Sequence, residues 1–116
     1  MQTFTNQTAN AVGKFVLCLA EFPHEPYAKL RPALIFADRG NEVIAAPLTT
    51  HSPRNQFDVL LRAWGEAGLL QESVVRVEQV GPLPRCCIRR IIGHLVESDV
   101  RRVASAVGRW SRFLTT

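Results

Sequence analysis

No stretch of the 116 residues is apolar for long enough to cross a bilayer, so a membrane-spanning role has no support. The first ten residues, Met1-Gln-Thr-Phe-Thr-Asn-Gln-Thr-Ala-Asn10, lack a basic segment ahead of an apolar one. This argues against a signal peptide and for a cytoplasmic protein with a loose polar tail over residues 1–12. Cysteine is scarce: Cys18, Cys86 and Cys87 are an odd count without metal-ligand spacing, and adjacent cysteines rarely serve one tetrahedral ion. They are expected as reduced thiols used as small apolar residues. The glycines are scattered and form no phosphate-cradling loop, so nucleotide hydrolysis is unsupported and neither metal nor other cofactor is expected. Repeats, low-complexity tracts and linkers are missing too, which leaves residues 13–116 as one domain.

What is present is the balance of a globular chain, 47% apolar and 21% charged. The net charge of +4 favours an anionic partner, nucleic acid or acidic protein, without choosing between them. Gly13-Lys-Phe-Val-Leu-Cys-Leu-Ala20 reads as a buried first strand, and Glu21–Ala28, with two prolines, as a loop. Gln56–Leu61 is a further strand candidate, and Ser73–Val80 alternates well. Because strand side chains repeat every two residues, Val75, Val77 and Gln79 should share one face while Arg76 and Glu78 project side by side from the other. Gly81-Pro-Leu-Pro84 should stop that strand, and Cys87–Val96 should supply the last one.

Glu97-Ser98-Asp99 then opens a helix with Ser98 as N-cap. Val100, Val103, Val107, Trp110 and Leu114 recur at three- and four-residue intervals as one apolar stripe, with Arg101, Arg102, Arg109 and Arg112 on other faces. Several short strands followed by one helix predict a mainly β protein, a small curled sheet or barrel with a C-terminal helix packed on it.

The chain is organised around a central hairpin. Lys29-Leu-Arg-Pro-Ala-Leu-Ile-Phe-Ala37 reads as a strand entered through an arginine that Pro32 restricts to extended angles, so the guanidinium of Arg31 leaves in a constrained direction. After a turn at Asp38-Arg-Gly-Asn41, Val43-Ile-Ala-Ala-Pro-Leu-Thr-Thr50 ends in two hydroxyls, and Pro47 suggests a sheet edge or a bulge. On residues alone each of these has a second reading. Arg31 could cap a neighbouring carbonyl, Thr49 and Thr50 could bond their own turn, and Arg76 with Glu78 could be a surface ion pair.

Four blocks taken together resemble the MazF/PemK family of toxins from type II toxin–antitoxin pairs: Lys29-Leu-Arg-Pro-Ala-Leu-Ile35, Ala46-Pro-Leu-Thr-Thr50, Gly68-Leu69 with Ser73, and Ile92-Gly-His-Leu95. They lie in the family's order over residues 13 to 114, and Val75-Arg-Val-Glu-Gln79 is similar to the Val-Arg-x-Asp-Gln strand of the Kid/PemK branch. The resemblance implies an SH3-like barrel, a homodimer, and a toxin-type endoribonuclease that cleaves single-stranded mRNA and is neutralised by an acidic antitoxin. It implies catalytic roles for Arg31, Thr49, Arg76, Glu78 and His24, and substrate contacts from Lys29, Pro32, Thr50, His51 and Gln79. It also places the Glu21–Ala28 loop over the cleft.

RNA cleavage without a metal needs a base for the 2′-hydroxyl, positive charge on the crowded phosphorane and an acid for the 5′-oxygen. Arginine suits the second task because its planar fork grips phosphate and stays charged. Glu78, helped by His24, is the expected base, and the product a 2′,3′-cyclic phosphate with a 5′-hydroxyl. Three departures leave other readings open: Glu78 stands where the branch has aspartate, Lys14 follows Gly13 where the family has Gly-Asp, and His24 sits one residue further from the Arg-Pro block. The alternatives are a non-catalytic barrel that binds nucleic acid or protein, and a gyrase-inhibiting toxin. His94 is expected to be structural. Arg89, Arg90 and the helical arginines are expected on solvated faces, with RNA backbone contacts as the second reading.

Overall fold

The computed structural model describes residues 11–20 and 28–115. Seven strands, β1 (Lys14–Ala20), β2 (Lys29–Asp38), β3 (Glu42–Thr49), β4 (Asp58–Leu60), β5 (Val74–Arg76), β6 (Gly81–Pro84) and β7 (Ile88–His94), are followed by one helix, α1 (Glu97–Thr115). The neighbours run β4-β5-β3-β2-β1-β7, with β6 paired to the far end of β3, and every pairing is antiparallel. Mostly β with one C-terminal helix is the architecture the sequence predicts.

Two cores explain why the middle strands are apolar on both faces. Phe15, Leu34, Ala46, Leu48, Val59 and Val75 point to one side, where Val103 and Ala106 of α1 close over them. Val16, Cys18, Ala33, Ile35, Val43 and Ala45 alternate to the other, packing with Ala11 and Ile88. Ala11, assigned to the tail by sequence, is fully buried, and its N–H donates to Asp38. Cys18 is a buried free thiol whose ionisation burial pushes upward, and it donates to the Arg31 carbonyl at 3.3 Å.

The β2–β3 hairpin turns where expected. Asp38 accepts from the Gly40 N–H at 3.0 Å, and Gly40 takes a left-handed φ of 85°, which glycine adopts without strain. Arg85 is inserted beneath this turn, ion-paired with Asp38 and donating to the Gly40 carbonyl at 2.5 Å. The hydrogen bond from Arg85, with those of Gly40 and Ala11, holds the Asp38 carboxyl at about 2. A carboxylate depressed in the folded state stabilises the fold above its unfolded value of about 3.9. That contribution should be lost as pH falls from about 4 through about 2, so thermal unfolding midpoints should drop across this window. Asp38→Asn should remove this part of the pH dependence, and an unchanged acid profile would show that the pair carries none of it.

Several local expectations need correction. Ser73–Val80 is not one strand: β5 stops at Arg76 and Val77–Gln79 form a 3₁₀ turn. Its partner β4 is only three residues long, so the ladder ends, and Val77 is buried by donating to the Phe57 carbonyl. Gly81–Pro84, expected as a stop, is itself a strand on β3. Pro82 and Pro84 alternate with Gly81 and Leu83, so the missing N–H groups fall on the positions of an edge strand that face away from the ladder. Pro47 lies where the outer edge of β3 changes partner, from β6 through Ala45 to β5 from Leu48. The gap leaves no lost donor to satisfy.

Ser98 is not the N-cap. The Val96 carbonyl accepts from Asp99 and Val100, so the helix starts two residues earlier, at Glu97. Asp99, only 2% exposed, uses its carboxylate on the backbone N–H groups of Arg62 and Ala63 and on Arg102. The apolar stripe is rotated as well. Asp99, Val103 and Ala106 face inward while Val100, Val107 and Leu114 are exposed, because the Asp99 staple and the Phe57–Trp110–Phe113 ring cluster set the helix's angle.

Candidate functional site

A hollow of about 520 Å³ opens at the end of the first core, where β2 begins and β3 ends. Arg31, Pro32, Thr49, Thr50 and His51 border it together. Five of the residues expected at the site are therefore assembled by the central hairpin alone, because antiparallel pairing sets the start of β2 beside the end of β3.

Pairing also decides how the two expected arginines relate. Thr49 lies opposite Val74, and extending the Ala33↔Pro47 register by two residues sets Arg31 beside Thr49. Arg31, Thr49 and Val74 thus form a row across three strands, and Arg76, two residues beyond Val74, shares their face. Strands are spaced by about 4.8 Å, so Arg31 and Arg76 are separated by two strand widths, about 10 Å, and a short step along the strand. By strand alternation the two residues fall on one face of the sheet. Arg76 does not border the hollow itself, and its Nε is buried with no hydrogen-bond partner among the described residues.

Glu78 is placed differently from the expectation. It lies in the 3₁₀ turn and not on a strand, and its Oε1 accepts from Arg54 Nη2 at 3.1 Å and Asn55 Nδ2 at 3.0 Å. Arg54 also makes a two-pronged bond to Asp58, whose side chain is fully covered and whose carboxyl is held below its ordinary range chiefly by that bond. Asp58 stands opposite Arg76 across β4 and β5. Arg54 therefore joins two carboxylates into a brace beneath the 51–57 loop. Gln79 is exposed on the same turn and does not border the hollow, nor does Lys29. His24 lies outside the described residues.

At Thr49 the turn-bonding reading is the one observed. Its Oγ1 accepts from the His51 N–H at 3.2 Å and lies 3.3 Å from His51 Nδ1, a local turn bond. That same bond holds the imidazole against the rim of the hollow.

Sequence reasoning did not find the opposite wall. Gly68, Leu69, Leu70, Gln71 and Ser73 form it, with Arg90 and Ile92 from β7 and Leu17 from β1. Arg90, read as solvated, is the β7 partner of Leu17, and only the pairing of first strand with last could have shown it. The 62–73 segment is seated by backbone contact. Gly68 has a φ of 98°, the His94 N–H donates to the Ala67 carbonyl, and Gly93 lies so close that a Cβ would come within 1.8 Å of that oxygen. His94 is structural to the extent that its backbone makes this seam.

The hollow can offer cations at two edges, hydroxyls and one imidazole on one wall, and an apolar floor of Leu17, Leu48, Leu69 and Ile92. Such a surface suits an unstacked nucleotide with its phosphate.

A curled antiparallel barrel closed by a C-terminal helix, with this cleft at the hairpin's open end, is the architecture of a compact class of bacterial toxins. The family of PemK-like, MazF-like toxins of type II toxin-antitoxin systems matches residues 12–110, and the chain belongs to it. Among solved structures, the Mycobacterium tuberculosis toxin MazF-mt6 is 27% identical with a TM-score of 0.66, over 84% of this chain and 96% of that one. A mycobacterial endoribonuclease solved with its cognate antitoxin superposes with a TM-score of 0.72 at 15% identity, over 90% and 96% of the two chains. MazF in a MazE–MazF crystal structure from Deinococcus radiodurans gives 0.72 at 20% identity, over 93% and 97%. At those two identities the likeness speaks for the fold alone. Comparison with functionally curated proteins finds no match.

Proposed function

We propose that the protein is a toxin-type endoribonuclease that cleaves single-stranded RNA by attack of the 2′-hydroxyl on the adjacent phosphate. The observation that carries the reading is the row formed by Arg31 and Thr49 at the edge of an open cleft, with Arg76 on the same face. A phosphodiester laid along that row would meet a guanidinium on either side. Both would gain strength as charge grows on the non-bridging oxygens of the phosphorane. Thr49 orients the phosphate. Among the described residues His51 is the group placed to pass protons, because imidazole can gain or lose one near neutral pH and Thr49 fixes its direction. The 2′-oxygen loses its proton as it bonds to phosphorus, the 5′-oxygen leaves and is protonated, and the products are a 2′,3′-cyclic phosphate and a 5′-hydroxyl.

Glu78, with Arg54 and Asn55 on its carboxylate, acts in this scheme as part of the brace and not as the base. Glu78→Gln keeps an oxygen for both donors, so cleavage should change by less than about threefold and stability by less than about 1 kcal/mol. A loss of a hundredfold or more in kcat would return the base to Glu78. By its family the toxin is neutralised by an acidic antitoxin lying across the same cationic cleft. A homodimer is supported by the apolar Val100, Val107, Leu114 and Ile91, which neither core covers.

The test is incubation of the purified protein with end-labelled single-stranded RNA in EDTA, reading fragment ends. Cyclic-phosphate termini are expected. Intact RNA would favour the non-catalytic binding module, and a loss of DNA supercoiling by gyrase would favour the gyrase inhibitor.

A further inference from the structure

A second hollow, of about 380 Å³, lies between β4 and α1 and is lined by Asp58, Val59, Arg101, Arg102, Ser105 and Arg109. Arg101, Ser105 and Arg109 follow at four-residue intervals and so stand one above another on the helix. The acid in the lining is already engaged: both Asp58 oxygens accept from Arg54. Arg102 is committed to Asp99 and to the Leu60 carbonyl. Arg101 and Arg109 are left as cations facing the hollow without a carboxylate partner among the described residues. Among the described residues Arg109 donates to neutral acceptors, Ser105 Oγ at 3.0 Å and the Gln56 carbonyl at 2.8 Å. Its Nε is buried with no acceptor among the described residues.

A shielded guanidinium N–H normally finds an acceptor in protein, ordered water or a bound ligand. We propose that this hollow is a phosphate-binding exosite for a nucleic-acid strand. It would hold one backbone phosphate outside the cleavage cleft through Arg101, the free Nε of Arg109 and the Ser105 hydroxyl. The lining favours a nucleic-acid backbone over an acidic protein segment, because Val59 is its one apolar member and protein interfaces are centred on apolar anchors. Phosphate contacts need only donors and charge, and they set the register of a strand without reading its sequence. The inference rests on the reading of the chain as an RNA-cleaving toxin insofar as the strand is RNA.

Fluorescence anisotropy with a labelled 2′-O-methyl dodecanucleotide, which cannot be cleaved, tests it on the full chain. Arg101→Gln and Ser105→Asp, both at exposed positions, should each weaken binding about tenfold, and Arg101→Gln should make the slope of log affinity against log salt shallower by about 1. Cleavage of a trinucleotide, too short to reach the exosite, should keep its kcat/KM in both variants. Unchanged affinity and slope would overturn the exosite, as would an effect confined to a polyglutamate peptide or an equal loss on the trinucleotide. If the wild-type protein cleaves no RNA, the proposed activity fails while the anisotropy result still decides the phosphate site.

Discussion

Gly93→Ala is expected to leave little folded protein, with a destabilisation above about 4 kcal/mol, a size seen only when a substitution has no local relief. The added Cβ would lie 1.8 Å from the Ala67 oxygen and 2.9 Å from its carbonyl carbon. Both are backbone atoms, and the Ala67 carbonyl is tied to the His94 N–H, so neither can swing aside as a side-chain tip would. Relief would require lifting the 62–73 segment off β7, which would expose Ala67 and Leu69 from the first core and dismantle one wall of the cleft. Gly40→Ala is the control. Gly40 has a left-handed φ of 85° but nothing within 4 Å of an added Cβ, so the cost should be only the conformational one, about 1–2 kcal/mol. Urea unfolding of both variants separates the two causes. Equal midpoints would mean that the β7 seam is not as rigid as its contacts imply.

Arg31→Ala should lower RNA cleavage about 10²- to 10³-fold, equivalent to roughly 3–4 kcal/mol of transition-state stabilisation, with the fold intact. Arg31 is half-buried at the rim beside Thr49, so its side chain is already held, and truncation removes charge without opening either core. Arg31→Lys should recover part of the rate, since an ammonium keeps the charge but loses the two-pronged bond to phosphate. Because the effect belongs to the transition state, kcat should fall more than KM rises. Unchanged rates in Arg31→Ala would move the chemistry away from the row and take the present account of the cleft with it.

Local composition was enough for most elements. The apolar continuity of β1, β2 and β3 reflects burial on both faces, and the Asp38-Arg-Gly-Asn41 turn is set by the Asp38 side chain and the left-handed Gly40. Failures came where a partner, not a propensity, decides the outcome. Nothing in Ser73–Val80 says that the neighbouring strand will run out at Leu60, so a strand of eight residues looks as good as one of three. For α1, Val100, Val107 and Leu114 compete with Val103 and Ala106 for the inner face. Asp99 settles the contest by reaching two N–H groups of a loop 36 and 37 residues distant in the chain.

By itself the sequence determined a mainly β architecture with a terminal helix, the central hairpin, and the Arg31, Thr49, Thr50 and His51 side of the cleft. These depend on neighbours in the chain or on one antiparallel turn. Only the tertiary structure decided that Arg90 and the 68–73 segment complete the cleft, that Glu78 is held by Arg54 and Asn55, and that Arg109 faces a second hollow with a donor unmet among the described residues. Each of those depends on which distant strand or loop comes alongside, and hydrophobic pattern fixes what is buried without fixing what it is buried against.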